Sequence, residues 1–299
     1  MVAGVLAMSS ASVFIRLARA EGAPPLIIAA YRLLIATLAL SIVAVSQRVW
    51  HEYSQLGRRE LYILCLSGLC LALHFMAWIT SLDHTSVISS VVLVTTTPVW
   101  IALAAPLFLR EKTSRSTWLG IAVAVAGGIV VGLADWHGSR SLTPWGDALA
   151  LMGAIFWAAY LMIGRHIRAK LRFVAYVWLV YGIAAIFLTA WALVSGLRFT
   201  GYTQSAMLYM LALGLIPQLI GHSAANYALR HLPASLVGVI TLGEPVGSTL
   251  LAIALLGEWP GLLQVAGGAV LLTGIGIALS ADQPPSTSPT SLGRSRALN

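Results

Sequence analysis

Hydrophobic positions in this chain come in long runs separated by short polar interruptions. Ten runs are long enough to cross a bilayer, at about 2–18, 25–46, 61–80, 86–109, 116–134, 147–164, 173–195, 205–227, 234–256 and 260–280. A membrane helix needs roughly 20 apolar residues to traverse about 30 Å of hydrocarbon, whereas barrel strands are ~9–11 residues of alternating polarity. The pattern therefore predicts helices and no strands. The first run is read as a span, because Arg16 and Arg19 follow its apolar stretch instead of preceding it. The tail from Ala281 to Asn299, rich in Ser and Pro, is expected to be a disordered cytoplasmic extension.

Composition makes the membrane reading firm. Of 299 residues, 59 % are hydrophobic and only 9 % charged, and the mean hydropathy is +0.87. Soluble domains carry about 25 % charged residues. This scarcity excludes a soluble enzyme, a disordered chain and a nucleic-acid-binding domain, despite a net charge of +8. With the amino terminus placed in the cytoplasm, 13 of the 18 Lys and Arg residues fall on the cytoplasmic side. Four (Arg16, Arg19, Arg140 and Arg198) fall outside, and Arg32 lies within a span. This positive-inside bias predicts an inner-membrane protein with both termini cytoplasmic, which requires an even number of spans. Cys65 and Cys70 share one helix and cannot pair with each other.

Sliding the sequence over itself by 147 positions aligns Leu82-Asp83-His84 with Leu229-Arg230-His231 and Pro98-Val99 with Pro245-Val246. Leu109-Arg110-Glu111 meets Leu256-Gly257-Glu258, Gly120 meets Gly267, and Gly127 meets Gly274. The expected architecture is thus an all-α integral membrane protein of ten transmembrane helices, built as two five-helix repeats. These are residues 1–134 and 147–280, joined by a linker at 135–146. An odd number of spans per repeat inverts one copy relative to the other, an arrangement transporters use to hold substrate between the halves near the midplane.

Candidate pathway residues follow from the cost of polar groups in hydrocarbon, roughly 2.5–3.5 kcal/mol per charge even on the lenient insertion scale. Glu244 is the acidic residue nearest a span centre, and Arg32 is its basic counterpart. Together they suggest either a functional pair or a pair of substrate ligands. Glu244 is expected to line the pathway. Arg32 reads as a structural or gating charge that snorkels towards the outer interface. In span eight Gln218, His222 and Asn226 recur every four residues, and in span three Cys70, His74 and Trp78 do the same. Such spacing places each set on one helix face, and a shift of 148 superimposes the two sets. They are expected to be pseudosymmetric walls of a central cavity, and their histidines are compatible with coupled protons. Trp78, Trp100, Trp157 and Tyr160 lie inside spans, away from the interfacial belts, where they can stack on substrate. Their alternative role is helix packing. Thr95, Thr96 and Thr97 precede Pro98 and can cap carbonyls that the proline leaves unpaired. Pro98 and Pro245 are equivalent candidate hinges. Gly128/Gly132 and Gly243/Gly247 have the spacing of close helix contacts.

The chain also resembles the EamA-type family of the drug/metabolite transporter superfamily over nearly its full length. The resemblance rests on Pro25-Leu26 through Tyr31-Arg32, Thr97-Pro98 with Glu111, and Phe156-Trp157-Ala158-Ala159-Tyr160. It rests further on Tyr227 through Ser235, Glu244-Pro245 and Leu256-Gly257-Glu258. Met8-Ser9-Ser10 departs from the Trp-Gly the family often has there. What the resemblance implies is a ten-helix basket with alternating access, most often exporting amino acids or other small metabolites. An uptake permease, a nucleotide-sugar-like antiporter and an intramembrane enzyme are the alternatives. No phosphate-binding loop, metal-ligand spacing or nucleophile constellation is present, so neither cofactor nor metal is expected. The expected partners are a small-molecule substrate and the lipid bilayer. The oligomeric state is left open.

Overall fold

A computed structural model describes residues 1–108, 115–138, 144–168, 170–232 and 243–280, together with residues 237, 240 and 241. Every regular element among the described residues is helical. The linker centre, Glu111 and the tail from 281 lie outside them.

The first apolar run forms α1 (Val2–Ser9) and α2 (Ala11–Ala20), which meet at Ser10, whose Oγ donates to the Ala7 carbonyl at 2.7 Å. Next comes α3 (Pro25–Ser46), opened by a proline whose missing N–H costs nothing in a first turn. Its 22 residues span roughly 33 Å at 1.5 Å per residue, enough for the hydrocarbon. A short α4 (Trp50–Tyr53) leads into α5 (Arg58–Ser81), an unbroken helix of 24 residues.

The fourth run is broken. It forms α6 (Val87–Val94) and α7 (Thr97–Phe108), with the interruption at Thr95 and Thr96. One threonine hydroxyl does what the sequence suggested, Thr97 donating to Val94, while Thr95 donates to Val91 and Val92 and Thr96 to Leu93. Val94 is the carbonyl that Pro98 cannot serve, lying four residues before it. Pro98 itself sits in the first turn of α7. Then follow α8 (Arg115–Gly138), α9 (Pro144–Arg168) and α10 (Phe173–Val194).

The eighth run changes character midway. It starts as α11 (Gln204–Leu213), becomes a π-helix over Gly214–His222 with Pro217 inside, and resumes as α12 (Ser223–Ala228). The last described helices are α13 (Gly243–Leu256) and α14 (Leu262–Ser280). Among the described residues seven segments are long and apolar enough to cross a membrane, and three apolar helices, Trp118–Val130, Gly243–Leu256 and Leu262–Ile277, are shorter.

Helices α5 and α9 pack closely, α10 lies against α3 and α5, and α1 against the π segment. The contact of α8 with α14 is reciprocal. A Cβ on Gly127 would strike the Leu271 backbone nitrogen and the Gly267 carbonyl, and one on Gly274 would strike those of Ala124 and Gly120. Each residue of one set is 147 positions from its counterpart in the other. The pairing runs antiparallel and maps onto itself when the repeats are exchanged. Close approach therefore occurs at Gly127 and Gly274. Around Gly128, by contrast, only ordinary side-chain contacts at 3.6 Å are found.

Polar ties close the bundle at its two ends. At one end Lys170 pairs with Glu60 and Arg172 with Glu52, both at 2.6 Å. At the other, the Glu258 carboxylate accepts from the Val87 backbone N–H at 2.7 Å, sitting where the α6 dipole favours an anion. Gln264 donates to Ser86 and Ser89, and Thr85 to Asp147.

Candidate functional site

Between the helices lies a small cavity of about 20 Å³. That is room for about one water. Its walls come from both halves of the chain. Val94 and Thr241, like Thr97 and Glu244, are pairs 147 positions apart, and His74 and His222 are 148 apart; all six line the cavity, with Met8, Trp78, Thr95 and Trp157.

His74 is carried by α5, and its Nδ1 donates to the Gly153 carbonyl of α9 at 2.8 Å. The helices are close here, and a methyl group on Gly153 would lie 3.3 Å from the Trp78 Cβ. The His74 ring stacks on Trp78 with centroids 6.0 Å apart and lies 5.2 Å from Trp157. His222 is the last residue of the π segment. Its ring meets Trp157 edge-on at 4.7 Å and stands 6.2 Å from the His74 ring. Glu244 lies in the first turn of α13, next to Pro245, and is 7 % exposed. Its carbonyl accepts from Ser9 of α1 at 3.4 Å, and Ser248 donates to the Ser9 carbonyl at 3.0 Å, fixing this turn against α1.

The structure thus brings Glu244, His74, Trp78, His222 and Trp157 together. The remaining sequence candidates are placed elsewhere. Gln218 and Asn226 are fully buried behind the wall and engaged in helix-to-helix bonding. Gln218 Oε1 accepts from Arg32 Nε at 2.8 Å, while Asn226 accepts from Tyr160 at 2.8 Å and donates to Tyr181 and the His222 carbonyl. Gln218 lies in the π segment and Asn226 beyond it in α12, and both side chains are drawn to neighbouring helices by these bonds.

Tyr160 stacks on Trp157 at 4.9 Å but is itself sealed behind it. Trp100 donates to Thr96 Oγ1 at 3.0 Å and lines a different, apolar cavity of about 470 Å³ with Leu93, Val99, Val125 and Ile129. Pro98 and Pro245 both occupy first turns of helices, where proline is undemanding, rather than mid-helix kinks.

Arg32 corrects the expectation of snorkelling. It is 0 % exposed, its guanidinium lies 4.1 Å over the Phe75 ring and 5.8 Å from that of Trp78, and it reaches no interface. Sequence reasoning passed over Phe75, whose ring also stands 5.1 Å from His222, because an apolar residue in an apolar span gives no signal. It also passed over Pro217, a proline in mid-span, which does signal an irregular helix.

Architecture and cavity together describe a multi-pass membrane protein with a central polar chamber made by distant parts of the sequence. The profile of the EamA-like transporter family matches residues 1–133 and 144–280, and the chain belongs to that family. Among curated relatives, an uncharacterized transporter of Archaeoglobus fulgidus is 24 % identical over 280 residues, 91 % of this chain and 93 % of the relative. The uncharacterized inner membrane transporter YedA of Escherichia coli is 28 % identical over 262 residues, 85 % and 83 % of the two chains. A probable terminal-alkyne amino-acid exporter of Streptantibioticus cattleyicolor is 27 % identical over 251 residues, 82 % and 80 %. A solved structure, titled only as the crystal structure of a protein, superimposes with a TM-score of 0.68 at 18 % identity, over 93 % of this chain and 95 % of the other. The chain is a transporter-family membrane protein, and its partner is a small molecule.

Proposed function

We propose that this protein is a secondary transporter of ten transmembrane helices, with halves 1–134 and 147–280 inverted relative to each other. It exports amino acids or related small metabolites across the inner membrane by alternating access, with both termini in the cytoplasm. The observation that carries this reading is the cavity wall. Positions related by the repeat, Thr97 with Glu244, Val94 with Thr241 and His74 with His222, converge on one chamber. An inverted repeat puts its symmetry axis through the substrate site, so equivalent residues face each other there. The reciprocal α8–α14 contact supports the same axis. Room for a single water, together with polar ties at both ends of the bundle, fits an occluded state between the two open ones. The exporter relative named for an amino-acid substrate supports the substrate class.

Counterflow in proteoliposomes tests the proposal, with amino acids, uridine and a cationic dye as probes. Saturable exchange of at least one amino acid is expected, and Glu244→Gln should lower it more than tenfold while leaving membrane insertion intact. Folded protein that exchanges no probe would overturn the transporter reading. Unchanged exchange by Glu244→Gln would remove Glu244 from the pathway.

A further inference from the structure

Beside the central cavity, four side chains hold buried nitrogen atoms that have no hydrogen-bond partner. They are Nη1 and Nη2 of Arg32, Nε2 of Gln218, Nε1 of Trp78 and Nδ1 of His222. A buried polar group left unsatisfied costs about 1–3 kcal/mol, and a charged one more. A few such atoms scattered through a protein are ordinary, but these are contiguous. Arg32 bonds Gln218 through Nε, its guanidinium covers Phe75 and approaches Trp78, and Phe75 abuts His222. Trp78 and His222 form the cavity wall, with Arg32 and Gln218 one side chain deeper.

No acid among the described residues comes within ion-pair distance of Arg32; the three ion pairs lie at the ends of the bundle. Glu244 lines the same chamber as Trp78 and His222. The site therefore presents a surplus of donors together with one carboxylate.

We propose that Arg32, Gln218 and Trp78 bind the carboxylate of the transported solute and Glu244 binds its ammonium group, so that the substrate is a zwitterion. This rests on the transport reading and specifies its substrate. Charge counting favours it over the neighbouring possibilities. One guanidinium and one carboxylate leave the site neutral around a zwitterion. A cation would satisfy Glu244 but strand the donors, and a phosphate dianion would find a single arginine and a repelling acid. A solute larger than one water has to part the wall, and the guanidinium is the charge directly behind Phe75 and Trp78. Buried polar groups of this kind discriminate sharply, because an analogue lacking the matching group leaves them unpaired.

The test is counterflow with two matched sets: L-leucine with isoamylamine and 4-methylvalerate, and L-phenylalanine with phenethylamine and 3-phenylpropanoate. Uridine and ethidium serve as unrelated probes. At least one amino acid should exchange, and its amine-only and acid-only analogues should do so at least 100-fold less efficiently. Trp78→Phe keeps the ring and removes only the N–H, and should raise KM about fivefold or more at unchanged insertion. Arg32→Gln should raise it at least 100-fold. The proposal is overturned if the amines exchange as well as their parents, or if both variants keep the wild-type KM. It is also overturned if neither set moves. In that case exchange of uridine or ethidium leaves the transport reading standing, and exchange of nothing removes both.

Discussion

The segments Arg58–Ser81 and Gln204–Ala228 deliver equivalent histidines to the same chamber by different means. The first is one continuous α-helix, and its His74 is pinned by a hydrogen bond to the α9 backbone. The second loses α geometry at Gly214, contains Pro217, and regains it only after His222, whose Nδ1 has no partner. Both rings are 4 % exposed, so burial does not distinguish them. What differs is support. One ring is held on a regular helix by a bond to its neighbour, and the other is carried by an irregular helix without such a bond. At α8 and α14 the copies have instead remained alike, down to which glycine meets which carbonyl.

The largest expected effect breaks the likeness at α8 and α14. A methyl group at either glycine would meet backbone atoms, which cannot turn aside as a side chain can. Gly127→Ala and Gly274→Ala should each cost about 3 kcal/mol, at the upper end of ordinary overpacking. Thermal unfolding in detergent should show the two variants shifted by similar amounts. A large loss in one and none in the other would mean that the reciprocal contact is not shared equally by the halves.

A smaller effect separates the two histidines. His74→Phe removes the bond to the Gly153 carbonyl, which keeps its helical N–H partner, and should cost about 1.5 kcal/mol, the upper end for an ordinary hydrogen bond. His222→Phe removes a nitrogen that already lacks a partner, so its stability should change by less than about 1 kcal/mol. The same replacement at both sites makes any error from ring size common to the two. Equal losses in unfolding experiments would show that the two walls are equally supported.

These contrasts also mark what the sequence made legible. Helix positions were readable because membrane spans are long apolar runs, and the Thr95–Thr97 interruption was readable because hydroxyls beside Pro98 have an obvious use. His74, His222 and Glu244 stood out as polar residues in hydrocarbon repeated at a fixed offset or isolated from other acids. Assigning Gln218 and Asn226 to the same wall as His222 read one helix alone, whereas Arg32, Tyr160 and Tyr181 on other helices bind those two side chains. Trp100 was misplaced because the break before α7 turns Thr96 and Trp100 away from the chamber while Thr97 stays in it. For Arg32, depth along one helix suggested snorkelling. Its actual surroundings, Gln218 and Phe75, come from other helices and are invisible to a single-helix argument.

The smallest effect bears most directly on the stiffness of the two walls. Pro217 has no N–H, so a carbonyl one turn earlier loses its intrahelical donor, and the π segment is where the helix absorbs that loss. If the wall carrying His222 is the deformable one, backbone amides of residues 218–222 should exchange hydrogen about tenfold faster than those of residues 70–74 in α5. Mass spectrometry of the protein in nanodiscs can read both. Pro217→Ala restores the missing donor and permits regular α geometry, so it should slow exchange in 218–222 by about tenfold, or roughly 1.4 kcal/mol of local opening, and leave residues 70–74 as they were. Transport should fall as that wall stiffens, because solute can enter a chamber the size of one water only if a wall moves. Slower exchange with undiminished transport would place the moving wall elsewhere, with the α6–α7 interruption as the next region to examine.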